Sequence, residues 1–325
     1  MKRLLLINEI GRLIGFFFVF ANVCFADVVN NNKLDVNKIF FTEIEKVDDN
    51  IFAIGEAGII LSSRDGGIQW TQHKIAYTGL FTSFNFVNSE TALFVGHDST
   101  IFRTADGGKS FQKILIETEN PISFMKVKWL STNDALIVGD FGSVFRSSDG
   151  ARSWKKDFVV NKDFDRHLYD ILISEYGTFV VGESGTVLFC PASSNQWQQV
   201  DIPYPGSFFG GIIQKDSIYF FGMRGNILST SLVSFYEFYV KGKGKSIVFN
   251  QYITPSKLGI MSASVGKDGS LFFYEAGGVV HKFSDGIFIR GKATLDTVVS
   301  TIEYGDSKIF AGLKGIKILK QSYNF

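Results

Sequence analysis

The stretch FAIGEAGIIL, Phe52 to Leu61, contains a pattern that returns along the whole chain. It recurs as LFVGHDSTIF from Leu93, LIVGDFGSVF from Leu136 and FVVGESGTVL from Phe179. Weaker copies follow as YFFGMRGNIL from Tyr219, SASVGKDGSLF from Ser262 and IFAGLKGIKI from Ile309. The leading glycines are Gly55, Gly96, Gly139, Gly182, Gly222, Gly266 and Gly312, at steps of 40 to 46 residues. A fixed period in this range marks a solenoid, a propeller or an array.

One unit shows which of these it is. From Leu80 to Leu115 the apolar runs are broken by the turn clusters Asn88-Ser89-Glu90, His97-Asp98-Ser99 and Asp106-Gly107-Gly108. Four short strands joined by three tight turns form an antiparallel meander, which is one propeller blade. Such a blade is apolar on both faces and must pack between neighbours. The 34 phenylalanines suit that space, and 33 glycines against 5 prolines suit many tight turns. The expected fold is all-β, a seven-bladed propeller of four-stranded antiparallel blades. The last unit stops near Phe325, one strand short, so residues from about Asn32 to Asn37 are expected to supply the closing outer strand.

The first 26 residues stand outside the repeat. Lys2, Arg3 and Arg12 flank an apolar run that ends at Cys24-Phe25-Ala26, the pattern of a Sec-type signal peptide cleaved after Ala26. Residues 27–325 then form one propeller domain with a periplasmic or secreted destination. Retention of the leader as an anchor is an alternative, and lipidation at Cys24 is disfavoured because Val23 makes a poor lipobox. Cys190 would remain as the single cysteine of the mature chain, without an internal disulfide. A formal net charge of +1 gives no general attraction for nucleic acid or anionic lipid.

Three units carry a second motif. Ser63 to Trp70 reads SRDGGIQW, Thr104 to Phe111 reads TADGGKSF, and Ser147 to Trp154 reads SSDGARSW. This is the Asp-box, or bacterial neuraminidase repeat. Its aspartates Asp65, Asp106 and Asp149 are suited to accept backbone N–H bonds across a turn, and Trp70, Phe111 and Trp154 to pack back on the sheet. With the repeated G-x-x-G, the chain resembles the photosystem II stability/assembly factor family of seven-bladed propellers. The resemblance spans nearly the whole mature chain and implies a binding protein that assists assembly of a membrane complex. Photosynthetic members are lumenal, and relatives also occur in non-photosynthetic bacteria. The arginine-rich patch of photosynthetic members has no residue-by-residue counterpart here.

Because the Asp-box also occurs in sialidases, an Asp-box glycoside hydrolase or glycan-binding propeller is the competing reading. A sialidase needs three arginines on one carboxylate. Arg103 and Arg146 share a register, but Ser62, Phe189 and Ser229 fill it in other units. No catalytic residue is assigned. The histidines His73, His97, His167 and His281 lack metal-ligand spacing, so neither a metal nor a cofactor is inferred.

The turns within the G-x-x-G motifs are expected to ring the central opening on one face. Units one to four place Glu56, Asp98 (beside His97), Asp140 and Glu183 there. Units five to seven place Arg224, Lys267 and Lys314, joined by Lys241, Lys243 and Lys245 from a connection expected on the same face. The mouth is therefore expected to be electrically split and to receive a protein partner, orienting a dipolar surface and speeding its docking.

Overall fold

Each repeat folds into one twisted sheet whose strands run in chain order from the axis outward. In blade 1 these strands are Phe41–Val47, Asn50–Gly55, Ile60–Ser63 and Thr71–His73, denoted a to d. The computed structural model of the protein describes residues 34–157, 163–244, 246–291 and 296–320. The chain divides into Met1–Val36 and Asn37–Phe325, and the blades lie in the second unit. Six sheets have four antiparallel strands. The seventh, built from Val298–Tyr304, Ser307–Gly312 and Gly315–Lys320, has three among the described residues.

Strands b are short and mostly apolar. Ala92–Gly96, Ala135–Gly139 and Leu271–Glu275 are buried at every position. Their side chains feed clusters between neighbouring sheets. Phe52, Ile54 and Ile60 of blade 1 meet Phe81, Phe84 and Phe94 of blade 2, where Phe84 and Phe94 stack at 5.3 Å. Comparable clusters join blades 2 and 3, 3 and 4, 4 and 5, 5 and 6, and 6 and 7. Burial of such aromatic area is the main stabilising term of the ring.

The strands a carry a second, polar device. Every one has a register shift at its second residue, a β-bulge. The bulge turns the third residue toward the axis and the next blade. That residue is Glu43, Ser83, Lys126, Asp170, Gly210, Ser262 and Ser300 in blades 1 to 7. Glu43 Oε2 accepts from Phe84 N at 2.8 Å, Ser83 Oγ from Val127 N at 3.3 Å, and Asp170 Oδ2 from Gly211 N at 3.2 Å. Ser300 Oγ accepts from Ile44 N and donates to Ile44 O, each at 3.2 Å, so blade 7 clasps blade 1 as other blades clasp their neighbours.

This clasp bears on how the ring closes. The outer strand expected from Asn32–Asn37 is not formed by residues 34–37, which hold no strand; Asn32 and Lys33 lie outside the described residues. The strands a of blades 1 and 7 pack directly on each other. Among the described residues, the ends are joined through the inner strands, by the polar clasp and the sheet faces.

Blade 6 departs from the expected glycine register. Its strand b ends at Glu275, and Gly266 to Gly269 form the hairpin between strands a and b. In the other blades the glycine is obligatory. A Cβ at Gly55, Gly96, Gly139, Gly182, Gly222 or Gly312 would lie 2.0–2.3 Å from the carbonyl oxygen leading into strand a. In blade 6 the corresponding carbonyl belongs to Gly259, which accepts from Ala276 N at 2.8 Å, and Glu275 takes φ −97° and ψ 163°. The small residue has moved across the ladder, and a side chain now fits where glycine was expected.

Candidate binding mouth

In an antiparallel meander, the b–c turns open on one end of the sheet and the a–b and c–d turns on the other. Hydrogen bonds fix the first group around one mouth. Gly58 N, Ser99 N, Gly142 N and Gly185 N donate to Gly79 O, Ile122 O, Arg166 O and Gly206 O, in the segments that lead into the next blade. The turns are tight because two successive residues take left-handed φ. Ala57, Phe141, Ser184, Arg224 and Gly277 lie at 53–74°, each followed by a left-handed glycine. At Gly58 a Cβ would sit 1.9 Å from Tyr77 O, so the third turn position admits no larger residue.

The four carboxylates assigned to this face are there. Glu56 Oε1 accepts from Phe40 N at 2.9 Å and Glu183 Oε2 from His167 N at 3.3 Å, so both also anchor the start of a strand a. Asp98 is exposed. Asp140 Oδ1 lies 3.2 Å from His167 Nδ1. The hydrogen bond to Asp140 raises the His167 pKa above the ordinary imidazole value against the effect of burial, with Glu183 and Asp165 adding to it. His97 is pushed down by burial, although Asp140 and Asp98 pull the other way. Burial and the negative charges of Glu183 and Asp140 push the Tyr169 phenol well up, which keeps it a hydrogen-bond donor.

The basic half needs correction. Lys267 and Asp268 belong to the a–b hairpin of blade 6, where Lys267 Nζ donates to Gly305 O in the a–b hairpin of blade 7. They face away from the mouth, because Gly266 is not the b–c glycine. Lys241 and Lys243 lie in the c–d connection of blade 5, after the short helix Leu232–Phe235 and the turn Tyr236–Val240, and so also on the far end. Lys245 lies outside the described residues. Arg224 and Lys314 remain at the mouth, and Lys314 Nζ is paired with Asp296 at 2.6 Å. The mouth is acidic over blades 1 to 4 without an equal basic half.

A charge cluster on strands a escaped the sequence reading. Lys126 Nζ is 2.5 Å from Glu43 Oε1 and 3.9 Å from Asp170 Oδ1. Burial raises the Glu43 pKa, but Lys126, Lys128 and the hydrogen bonds outweigh it and hold the carboxyl below its ordinary value. Burial raises the more distant Asp170, with Lys126 and Lys128 opposing only in part. Glu45, bonded by Asn85 Nδ2 at 3.1 Å, is pushed up by burial to about 7. The signal was a polar residue 12 or 13 positions before Gly55, Gly96, Gly139, Gly182 and Gly312, visible once the bulge places it at the axis.

On the far end, the three aspartate turns are local braces. Asp65 Oδ1 accepts from Ile68 N and Gln69 N, Asp106 Oδ1 from Ser110 N, and Asp149 Oδ1 from Arg152 N and Ser153 N. The Ser110 and Ser153 hydroxyls, with these backbone bonds, hold Asp106 and Asp149 low, Asp106 at about 2, and the Gln69 backbone bond leads the lowering of Asp65. Trp70 lies against Gly67, Phe111 rests on Phe94, and Trp154 packs on the core between blades 2 and 3. Arg103 Nε donates to Gly150 O and Arg146 Nε pairs with Asp157, so neither arginine is free for a substrate carboxylate. Among the described residues, no group of three or more His, Cys, Asp or Glu could hold a metal ion. Among them too, no helix is long and apolar enough to cross a membrane.

Residues 26–161, through blade 3, match the family described as "Photosynthesis system II assembly factor YCF48". No curated protein matches the chain. Among solved structures, a YCF48 bound to a D1 peptide is 15% identical, with 87% of this chain and 91% of that one covered at a TM-score of 0.68. YCF48 from Cyanidioschyzon merolae is 17% identical, with 89% and 97% covered at 0.70. Virginiamycin B lyase from Staphylococcus aureus is 13% identical, with 86% and 94% covered at 0.71. An enzyme fits the ring as well as a binding protein does, so these likenesses speak to the fold alone. The chain is therefore a seven-bladed β-propeller, and its residues 26–161 match the YCF48 assembly-factor family in sequence.

Proposed function

We propose that this protein is a non-enzymatic binding propeller that receives a segment of a partner protein at its b–c mouth and assists assembly of a membrane or envelope complex. The observation that carries this is the acidic, sequence-variable mouth on an otherwise repetitive ring, read with the peptide bound to a related propeller. The binding set is Glu56, His97, Asp98, Asp140, Glu183 and Arg224, with Lys314 at the margin. Residues 1–26 act as a cleaved leader, and the mature chain works in the periplasm or outside the cell.

A carbohydrate-active reading has one feature in its favour, the carboxylates Glu43, Glu45 and Asp170 gathered at the axis. A hydrolase needs an acid and a second carboxylate free to reach the scissile bond. Glu43 and Asp170 instead hold neighbouring blades together and share Lys126. The binding reading therefore has the stronger support.

The test is co-purification from the native envelope fraction, with Asp98→Asn/Glu183→Gln compared with the unaltered protein. Both substitutions keep the side-chain shape while removing charge. Capture should fall about tenfold, as charge removal at an interface rim slows association, and the loss should shrink at high salt. Equal capture by both proteins at low salt would refute the assignment of the mouth.

A further inference from the structure

Phe141 breaks the pattern of the mouth turns. At its position the other turns carry Ala57, Ser184, Arg224, Gly277 and Lys314, with Asp98 in the looser blade 2 turn. Phe141 has φ 53° and ψ 43°, a backbone region that bulky residues avoid. Its side chain is 65% exposed, and it is the one aromatic among the strongly exposed large apolar side chains of the described residues. A strained backbone that presents an exposed phenyl ring gains no packing in return within the blade. Strain of this kind persists where it serves a site.

The surroundings hold the ring in place. The Phe141 and His167 rings meet edge to face at 5.0 Å. A Cβ at Gly142 would lie 2.5 Å from Phe164, so the turn is packed closely on that residue. The charges around it are lopsided. Asp98, Asp140, Asp165 and Glu183 stand against Arg166 and a titratable His167. Arg166 is itself tied to Ser184 O. An apolar projection within negative charge fits a ligand of opposite make-up.

We infer that Phe141 is the apolar anchor of the mouth, and that its occupant is a cationic segment of a partner protein with Lys or Arg beside a large apolar side chain. The inference rests on the binding role proposed above and names the chemistry of the partner. The apolar side chain would cover Phe141 while the basic groups face Asp98 and Glu183.

A displayed library of random dodecapeptides, selected in parallel on the unaltered protein and on Phe141→Gly, tests it. Glycine accepts the turn conformation, so this variant should melt no lower than the parent; Phe141→Asn, also tolerant of left-handed φ, serves as the second variant. Peptides enriched on the parent should carry net positive charge and a large apolar residue. They should bind both variants at least tenfold more weakly and lose affinity in salt. Enrichment of acidic peptides, equal enrichment on parent and variants, or no enrichment would overturn the inference. A native partner captured through Asp98 and Glu183 but indifferent to Phe141→Gly would leave the binding mouth standing and remove only the anchor.

Discussion

Replacing Lys126 with methionine tests the axial cluster most severely. Lys126 is the cation between Glu43 and Asp170, at 2.5 and 3.9 Å, and all three side chains are at most one-fifth exposed. Removing one partner of a buried ion pair costs about 3–5 kcal/mol, because the remaining charge loses its compensation. Residual hydration argues for the lower end, so Lys126→Met should lose about 3 kcal/mol near pH 7.5. Without the lysine, burial drives the Glu43 pKa above its unfolded value. The deficit is then greatest where Glu43 would be ionised and shrinks as the pH falls and Glu43 takes up a proton. Urea unfolding followed by circular dichroism at pH 7.5 and 5, for the parent, Lys126→Met, Glu43→Gln and the double variant, gives both the cost and the coupling. The double variant should recover part of the loss. A cost below about 1 kcal/mol, or a deficit unchanged by pH, would refute the reasoning.

Three further outcomes follow from the same geometry. Glu45 has a folded pKa near 7, raised by burial. Its favourable contribution is therefore full below the unfolded value and lost as pH rises toward 7, so the urea midpoint of Glu45→Gln should fall less than the parent's between pH 5 and 8. Ser300→Ala strips Ile44 N and Ile44 O of their partner across the blade 7–blade 1 junction. It should cost about 1–3 kcal/mol and speed amide exchange first in Phe41–Val47, whereas protection unchanged there would place closure elsewhere. The raised His167 pKa owes most to Asp140, so a proton NMR titration should find it lower in Asp140→Asn. His167 stabilises the fold below the ordinary imidazole pKa, and that gain fades as pH climbs through the raised value.

The ring was legible because the b–c glycines cannot be replaced without a clash with backbone, and so repeat at blade spacing. The same logic misled in blade 6. There Gly259 supplies the missing room from the other strand, and Gly266 is a hairpin glycine that falls near the expected position by chance of spacing. Lys267 was carried to the wrong end with it. Lys241 and Lys243 went astray because a helix lengthens the c–d connection of blade 5, which reads in sequence as a linker between blades. The acids Glu56, Asp98, Asp140 and Glu183 were placed correctly because their units keep the motif intact. The axial charges were hidden because a bulge, which has no sequence marker of its own, decides which strand residue points inward. The exposure and left-handed φ of Phe141 emerge only in three dimensions.

Photo-crosslinking in intact cells measures the central claim most directly. A crosslinking amino acid is placed at Asp98 or Ser184 on the mouth, and at Lys243 or Asp268 on the far end. Binding through the b–c face predicts one shared partner protein crosslinked from both mouth positions and from neither far-end position. Crosslinks to a partner from Lys243 and Asp268 alone would contradict it.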